Sequence, residues 1–267
     1  MPLTVLGSGT LRPSAVRASP SHLVEHRGAR VLLDIGPGSV HGLERHGKAW
    51  WAVTHVVLSH FHTDHIGDLP HLLFALQWAV PAPREEPLWI VGPPGLNERV
   101  DGLVKAHGSF IREQRFPIEY VELPRRGEWK GGDAEVGIRF GPTVHTEASV
   151  AVRVTTDAGT VGFTGDTGPA PEVGRFLAGS DLLICECGYA DPPVAQNHLS
   201  PTSVAELASA AEPGLLILTH IYPPLRPQAV PGLVARAGYG GAVVAAEDGA
   251  FFRLPGDPDR GPMPVFG

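Results

Sequence analysis

The stretch Ser59-His60-Phe61-His62-Thr63-Asp64-His65-Ile66-Gly67-Asp68 sets three imidazoles and two carboxylates in one short run. Folding alone asks for no such density. Neutral imidazole and ionised carboxylate are common ligands of borderline divalent metals, and a His-x-His-x-Asp-His run can serve two ions from a single loop. The run therefore predicts a dinuclear metal site. Its flanks say where the loop sits. Trp51-Ala52-Val53-Thr54-His55-Val56-Val57-Leu58 ends in a β-branched, apolar stretch that reads as a buried strand. Asp68-Leu69-Pro70, followed by Leu72, Leu73, Phe74, Leu76 and Trp78, reads as a helix start with an early proline. Ligands held between a strand end and a helix are rigidly placed.

His60-Phe61-His62-Thr63-Asp64-His65 resembles the signature of the metallo-β-lactamase-fold hydrolases. Three further candidate ligands follow in order, each beside an apolar β-branched run: His145 after Pro142-Thr143-Val144, Asp166 after Val161-Gly162-Phe163-Thr164-Gly165, and His220 after Leu215-Leu216-Ile217-Leu218-Thr219. Within that superfamily, the chain is similar to ribonuclease Z and its phosphodiesterase relatives at Gly7-Ser8-Gly9-Thr10, Leu32-Leu33-Asp34-Ile35-Gly36, Ile184-Cys185-Glu186-Cys187-Gly188-Tyr189 and His198-Leu199-Ser200.

The resemblance implies an α/β fold, the four-layer αβ/βα sandwich, with the ligands on loops along one rim. It implies one metal held by His60, His62 and His145, a second by Asp64, His65 and His220, and Asp166 bridging them. The catalytic residues it implies are Asp64, His198 and Glu186, with a metal-bridging hydroxide attacking a phosphodiester and His198, held by Glu186, protonating the leaving oxygen. Zinc is the first choice for this imidazole-rich shell, and manganese or iron suit similar ligands. The iron-binding, oxygen-reducing branch of the fold replaces an early ligand with glutamate. This chain keeps His62 and Asp64, which favours hydrolysis over redox chemistry.

One departure bears on substrate. In ribonuclease Z a long Gly/Pro-rich arm that grips tRNA lies between the positions matching His145 and Asp166. Here Val150-Ala151-Val152-Arg153-Val154 and Thr160-Val161-Gly162-Phe163 flank the turn Asp157-Ala158-Gly159, a plain hairpin. Charge points the same way: Lys+Arg 21 against Asp+Glu 28 gives a net charge of -7, the wrong sign for neutralising many phosphates. The leading expectation is a phosphodiesterase for a small or cyclic phosphodiester, with a small molecule rather than nucleic acid as partner. A tRNA 3′-processing endonuclease is the alternative, as is ester or lactone hydrolysis by the same metals. A non-catalytic metal-stabilised binding module ranks last, because it needs a closed ligand shell.

Length and composition set the outer bounds. A chain of 267 residues, 43% hydrophobic, is long enough to bury a layered α/β core, read as a single domain over 1–254 with an extended tail over 255–267. Met1-Pro2-Leu3-Thr4-Val5-Leu6 has no basic leader and no apolar run reaches membrane-spanning length, so a cytoplasmic protein with no membrane partner is expected. A homodimer is compatible with this reading.

Strands are expected near Leu3–Leu6, His22–Glu25, Arg30–Leu33, Val53–Leu58, Leu88–Val91, Val121, Ile138, in the hairpin, and at Leu182–Cys185, Leu215–Leu218, Ala242–Ala245 and Phe251–Leu254. Helices are expected to begin near Ser39, Leu69, Pro94, Pro171, Pro201 and Pro227. Cys185 and Cys187 sit two apart on a strand, so both face one side as small apolar residues while Glu186 faces the other. Asp34 is expected to support a metal-binding histidine, with Ser59 and Asp68 as weaker supports. Tyr222 is expected to wall the pocket and Arg226 to be available to a phosphate. Val80 to Pro87 could border the rim, and Pro124 to Lys130 reads as a solvated basic turn.

Overall fold

The computed structural model describes residues 1–80, 84–131 and 136–254. The expected tail over 255–267 and the middle of the Val80 to Pro87 segment lie outside the described residues. In chain order the elements are β1 (Pro2–Gly7), β2 (Ser21–His26), β3 (Ala29–Leu33), α1 (Ser39–Arg45), β4 (His55–Val57), α2 (Thr63–Ile66), α3 (Leu69–Trp78), β5 (Leu88–Gly92), α4 (Leu96–His107), β6 (Ile118–Glu122) and β7 (Glu128–Gly131). There follow β8 (Val136–Pro142), β9 (Val150–Thr156), β10 (Gly159–Phe163), α5 (Pro171–Phe176), β11 (Leu182–Glu186), α6 (Pro201–Ala211), β12 (Leu215–Thr219), α7 (Val230–Arg236), β13 (Val243–Ala245) and β14 (Phe251–Arg253).

The strands form two seven-stranded sheets, ordered β14-β1-β2-β3-β4-β5-β6 and β13-β12-β11-β10-β9-β8-β7. Each is antiparallel on one side and parallel on the other, where β3 to β6 and β10 to β13 run together. Strand alternation explains the layering. Val31 and Leu33 point between the sheets with Ile138, Val152, Val161, Ile184 and Ile217, whereas Leu32 points outward to Leu43, Leu72 and Val100. On the second sheet Leu183, Cys185, Leu216 and Leu218 point outward beneath Val173, Val204, Leu207 and Val230 of α5, α6 and α7. Helices thus cover both outer faces, giving the expected four layers.

The local signals behave physically. Pro70 and Pro201 start α3 and α6, and Ser200 and Ser203 form a reciprocal capping box at α6. Three boundaries differ from the sequence reading. Trp50–Ala52 close a 3₁₀ turn, so β4 begins at His55, and a 3₁₀ turn at Pro227–Ala229 precedes α7. The supposed basic turn ends in β7, an edge strand with exposed Glu128 and Lys130 and a half-buried Trp129 packed on the inter-sheet core. Charged residues at alternate positions are how edge strands avoid further pairing, which is why it read as a turn.

The parallel strands bring their carboxyl ends to one rim. His60 lies just beyond β4, Asp166 just beyond β10, Glu186 ends β11 and His220 follows β12. In open α/β sheets this is where ligands bind.

Candidate metal centre

Asp166 is the hub. Its Oδ2 lies 3.9 Å from His60 Nε2, 3.4 Å from His65 Nε2, 3.7 Å from His145 Nε2 and 3.6 Å from His220 Nε2. These spacings are too long for hydrogen bonds. Asp64 Oδ2 lies 3.6 Å from His65 Nε2 and 3.4 Å from His220 Nε2. His62, at the exposed edge, places Nδ1 3.1 Å from His60 Nε2 and 3.0 Å from His145 Nε2. His60, His62, His145 and Asp166 therefore form one group able to hold an ion, and Asp64, His65 and His220 a second.

The donor set fits divalent metals. Two nitrogens bound tetrahedrally to one zinc at about 2.0–2.1 Å lie roughly 3.3 Å apart, close to the spacing of these rings. The buried His65 Nε2 and His220 Nδ1 have no hydrogen-bond partner, and a buried polar atom left alone is costly. For His65 an ion is the partner that would resolve it.

Surrounding groups aim the ligand atoms. Asp34, in left-handed backbone at φ 56°, accepts from His65 Nδ1 at 2.6 Å and from Ser59 N and Oγ at 2.7 Å each. Because Ser59 Oγ donates to Asp34, it accepts from His60 Nδ1 at 3.0 Å, which turns His60 Nε2 inward. His145 Nδ1 donates to the Asn197 carbonyl at 2.9 Å. Gly165, at φ 55°, lets the chain turn into Asp166: a Cβ there would meet the Ser59 side chain at 2.7 Å.

Electrostatics follow the same geometry. Burial alone would raise the Asp166 carboxyl, but His220, His65 and His60 hold it well below the usual carboxylate range. Burial keeps His60 well below an ordinary imidazole, while Asp166 and Asp34 together raise His65 against its burial.

Glu186 and His198 stand beside this hub. Glu186 is buried and accepts from His198 Nδ1 at 2.9 Å, Thr167 N at 2.7 Å, Gly188 N at 3.1 Å and Leu199 N at 3.2 Å. Burial lowers His198 and the Glu186 carboxylate raises it; the net direction is upward. The His198 ring stacks on His220 at 5.4 Å, and Tyr222 closes over both at 5.9 and 5.2 Å.

All seven expected ligands and both members of the Glu186–His198 pair are thus brought to one place, with Asp34, Ser59 and Tyr222 around them. Cys185 and Cys187 are buried in the outer layer, on the side away from Glu186. Two expectations change. Asp68 accepts from Gly38 N and Val40 N at 3.0 Å each and so caps α1 rather than supporting a ligand. Arg226 is exposed and lines neither of the two cavities that open from the site. Nothing in the sequence marks Asn197 and Thr167, because they act chiefly through backbone groups that any residue supplies. His22 is a core residue, edge-on to Phe163 at 5.3 Å, with burial pushing its pKa down to about 3.

The Metallo-beta-lactamase superfamily matches residues 15–220, a span that ends on His220 and encloses every candidate ligand. The chain belongs to this superfamily. It is 33% identical over 247 residues to ribonuclease Z of Mycolicibacterium gilvum, covering 84% of this chain and 85% of that protein. Among solved structures it is similar to the metallo-beta-lactamase fold protein YhfI from Bacillus subtilis, with TM-score 0.79, 23% identity, and coverage of 94% and 98% of the two chains. It is also similar to the short form of human tRNase Z, with TM-score 0.77, 22% identity, and coverage of 96% and 100%. As a metallo-beta-lactamase superfamily hydrolase of the ribonuclease Z-like branch, the protein carries the His/Asp cluster for metal-dependent chemistry. Among the described residues no helix is long and apolar enough to cross a membrane.

Proposed function

We propose that the protein is a dinuclear metal-dependent phosphodiesterase acting on a small or cyclic phosphodiester. His60, His62 and His145 would hold one divalent ion, Asp64, His65 and His220 the other, and Asp166 both, with zinc the first choice for this nitrogen-rich set. Ions bound there supply Lewis acidity, making water nucleophilic near neutral pH and offsetting charge on a phosphate oxygen.

The chain's own residues do the rest. Asp34 and the Asn197 carbonyl fix the tautomers of His65 and His145, so Nε2 of each faces the site. Glu186 fixes His198 through Nδ1, leaving Nε2 to deliver a proton to the departing oxygen. The Glu186 carboxylate favours the protonated ring that such a donor needs.

The observation that carries the small-substrate reading is the β9–β10 hairpin. Thr156 pairs directly with Gly159 across a tight turn, so no arm projects between His145 and Asp166. The net charge of -7 supports the same reading. A second reading, cleavage of precursor tRNA, is favoured by the name ribonuclease Z borne by the 33%-identical M. gilvum relative. A panel of bis(p-nitrophenyl) phosphate, 2′,3′- and 3′,5′-cyclic nucleotides and a precursor tRNA separates the two. Turnover of a small diester should exceed tRNA cleavage; site-specific tRNA cleavage with negligible small-diester activity would reverse the order.

A further inference from the structure

Among the described residues, two cavities share His62 in their walls, and their charges differ. One, of about 680 Å³, runs past Phe61 and holds Glu98 and Glu147 against Arg99 and Arg125, so its charges balance. The other, of about 770 Å³, begins at His62 and Asp64 and runs between the β1–β2 loop and α1. It is lined by Arg12, Arg17 and Arg45, and Asp64 is the only carboxylate on its wall. Arg17 has Glu247 3.9 Å from its Nη2, so Arg12 and Arg45 carry the positive charge of this wall, a local reversal in a chain of net charge -7.

Arg17 is part of the framework: Nη1 donates to Ser8 Oγ and to the Ala246 carbonyl, both at 2.8 Å. Asp248 clamps the same loop, accepting from Ser8 N at 2.8 Å, Ser8 Oγ at 2.7 Å and Ala18 N at 2.7 Å. The Ser8 carbonyl in turn accepts from His220 N at 3.3 Å, which ties the loop to a candidate ligand. Arg12 and Arg45 are exposed, and among the described residues neither guanidinium has a carboxylate partner. The clamped loop thus presents Arg12, and the end of α1 presents Arg45, on a cavity of ligand-binding size whose wall includes His62 and Asp64.

We propose that this cavity is a subsite for a second phosphate of the substrate, beside the scissile diester, read by Arg12 and Arg45. Guanidinium groups match phosphate oxygens in a forked, charge-assisted geometry, which gives the site its class of ligand. The proposal rests on the diesterase reading for its substrate but not for its binding. The second phosphate could be a terminal monoester on a small molecule or the next link of a nucleic-acid strand; both present the same anion to the same residues.

The test compares two chromogenic esters with one scissile bond and one leaving group: thymidine 5′-(p-nitrophenyl phosphate), with and without a 3′-phosphate. The 3′-phosphate should raise kcat/KM about 10- to 100-fold, mainly through KM, as expected for one or two charge-assisted contacts. In Arg12→Gln/Arg45→Gln the ratio should fall to near one. Arg139→Gln, which removes an exposed arginine of β8, should keep it. A wild-type ratio near one, or a ratio that survives the double substitution, overturns the subsite. A third ester whose 3′-phosphate continues to another thymidine locates the source. An equal gain points to a strand, and a gain only with the terminal monoester points to a small molecule. If neither ester is hydrolysed the diesterase reading falls, and calorimetric binding of thymidine 3′,5′-bisphosphate decides the subsite alone. Binding lost in the double variant sustains it; absent or arginine-independent binding overturns it.

Discussion

Replacing Glu186 by glutamine separates the two tasks its carboxylate performs. Oε1 accepts from Thr167 N and His198 Nδ1, and Oε2 accepts from Gly188 N and Leu199 N. An amide keeps one oxygen and turns the other into a donor: at the Oε2 position the NH₂ faces Gly188 N and Leu199 N, and at the Oε1 position it faces Thr167 N while His198 can move its proton to Nε2 and accept. Each unmet donor costs about 1–3 kcal/mol, and one or two unmet donors place the destabilisation of Glu186→Gln at about 1–6 kcal/mol. At roughly 2–4 °C per kcal/mol for a chain of this order, the melting midpoint should fall by on the order of 10 °C. His198→Ala leaves the three backbone donors on the carboxylate and should cost clearly less. Differential scanning calorimetry of both variants against wild type, in the same metal-loaded buffer, makes the comparison. A Glu186→Gln midpoint within about 2 °C of wild type would refute the assignment of this carboxylate as the anchor of the 186–199 segment.

Two further outcomes follow from the same contacts. His198→Ala should lower turnover of an alkyl phosphodiester by roughly 10²–10⁴-fold with metal content intact, and should slow a p-nitrophenyl diester far less because p-nitrophenolate leaves without a proton. Equal losses on both substrates would assign His198 to phosphate or metal binding instead. The buried His55 has its pKa lowered from 6.5 to about 4, chiefly by burial, so between those pH values the unfolded chain binds the extra proton. Its contribution to stability is full above pH 6.5 and is lost as pH falls toward 4, amounting to about 2 kcal/mol between pH 7.5 and 5. Urea titrations at both pH values should show a shallower acid loss in His55→Leu than in wild type; equal losses would count against a buried neutral imidazole.

What was legible in the sequence was what chemistry or periodicity forces on residue identity. Metal ligation demands imidazole and carboxylate at strand ends, so His60 to His65, His145, Asp166 and His220 stood out after apolar runs. Strand alternation alone separates Cys185 and Cys187 from Glu186. The β7 edge strand was not legible, because Glu128 and Lys130 carry the charges that also mark a turn. Asp68 resembled a support for the metals because it sits next to the ligand run, yet its carboxylate reaches back to the start of α1. The cavity with Arg12 and Arg45 depends on Asp248, 240 residues from Ser8, and no local pattern announces such a contact.

The most direct test of the dinuclear account is elemental analysis of purified protein after exhaustive dialysis, for wild type and Asp166→Ala. Because Asp166 Oδ2 faces histidines of both groups, the account predicts close to two divalent ions per wild-type chain, with both lost or weakened in the variant. One tightly held ion per chain, unchanged by replacing Asp166, would contradict it.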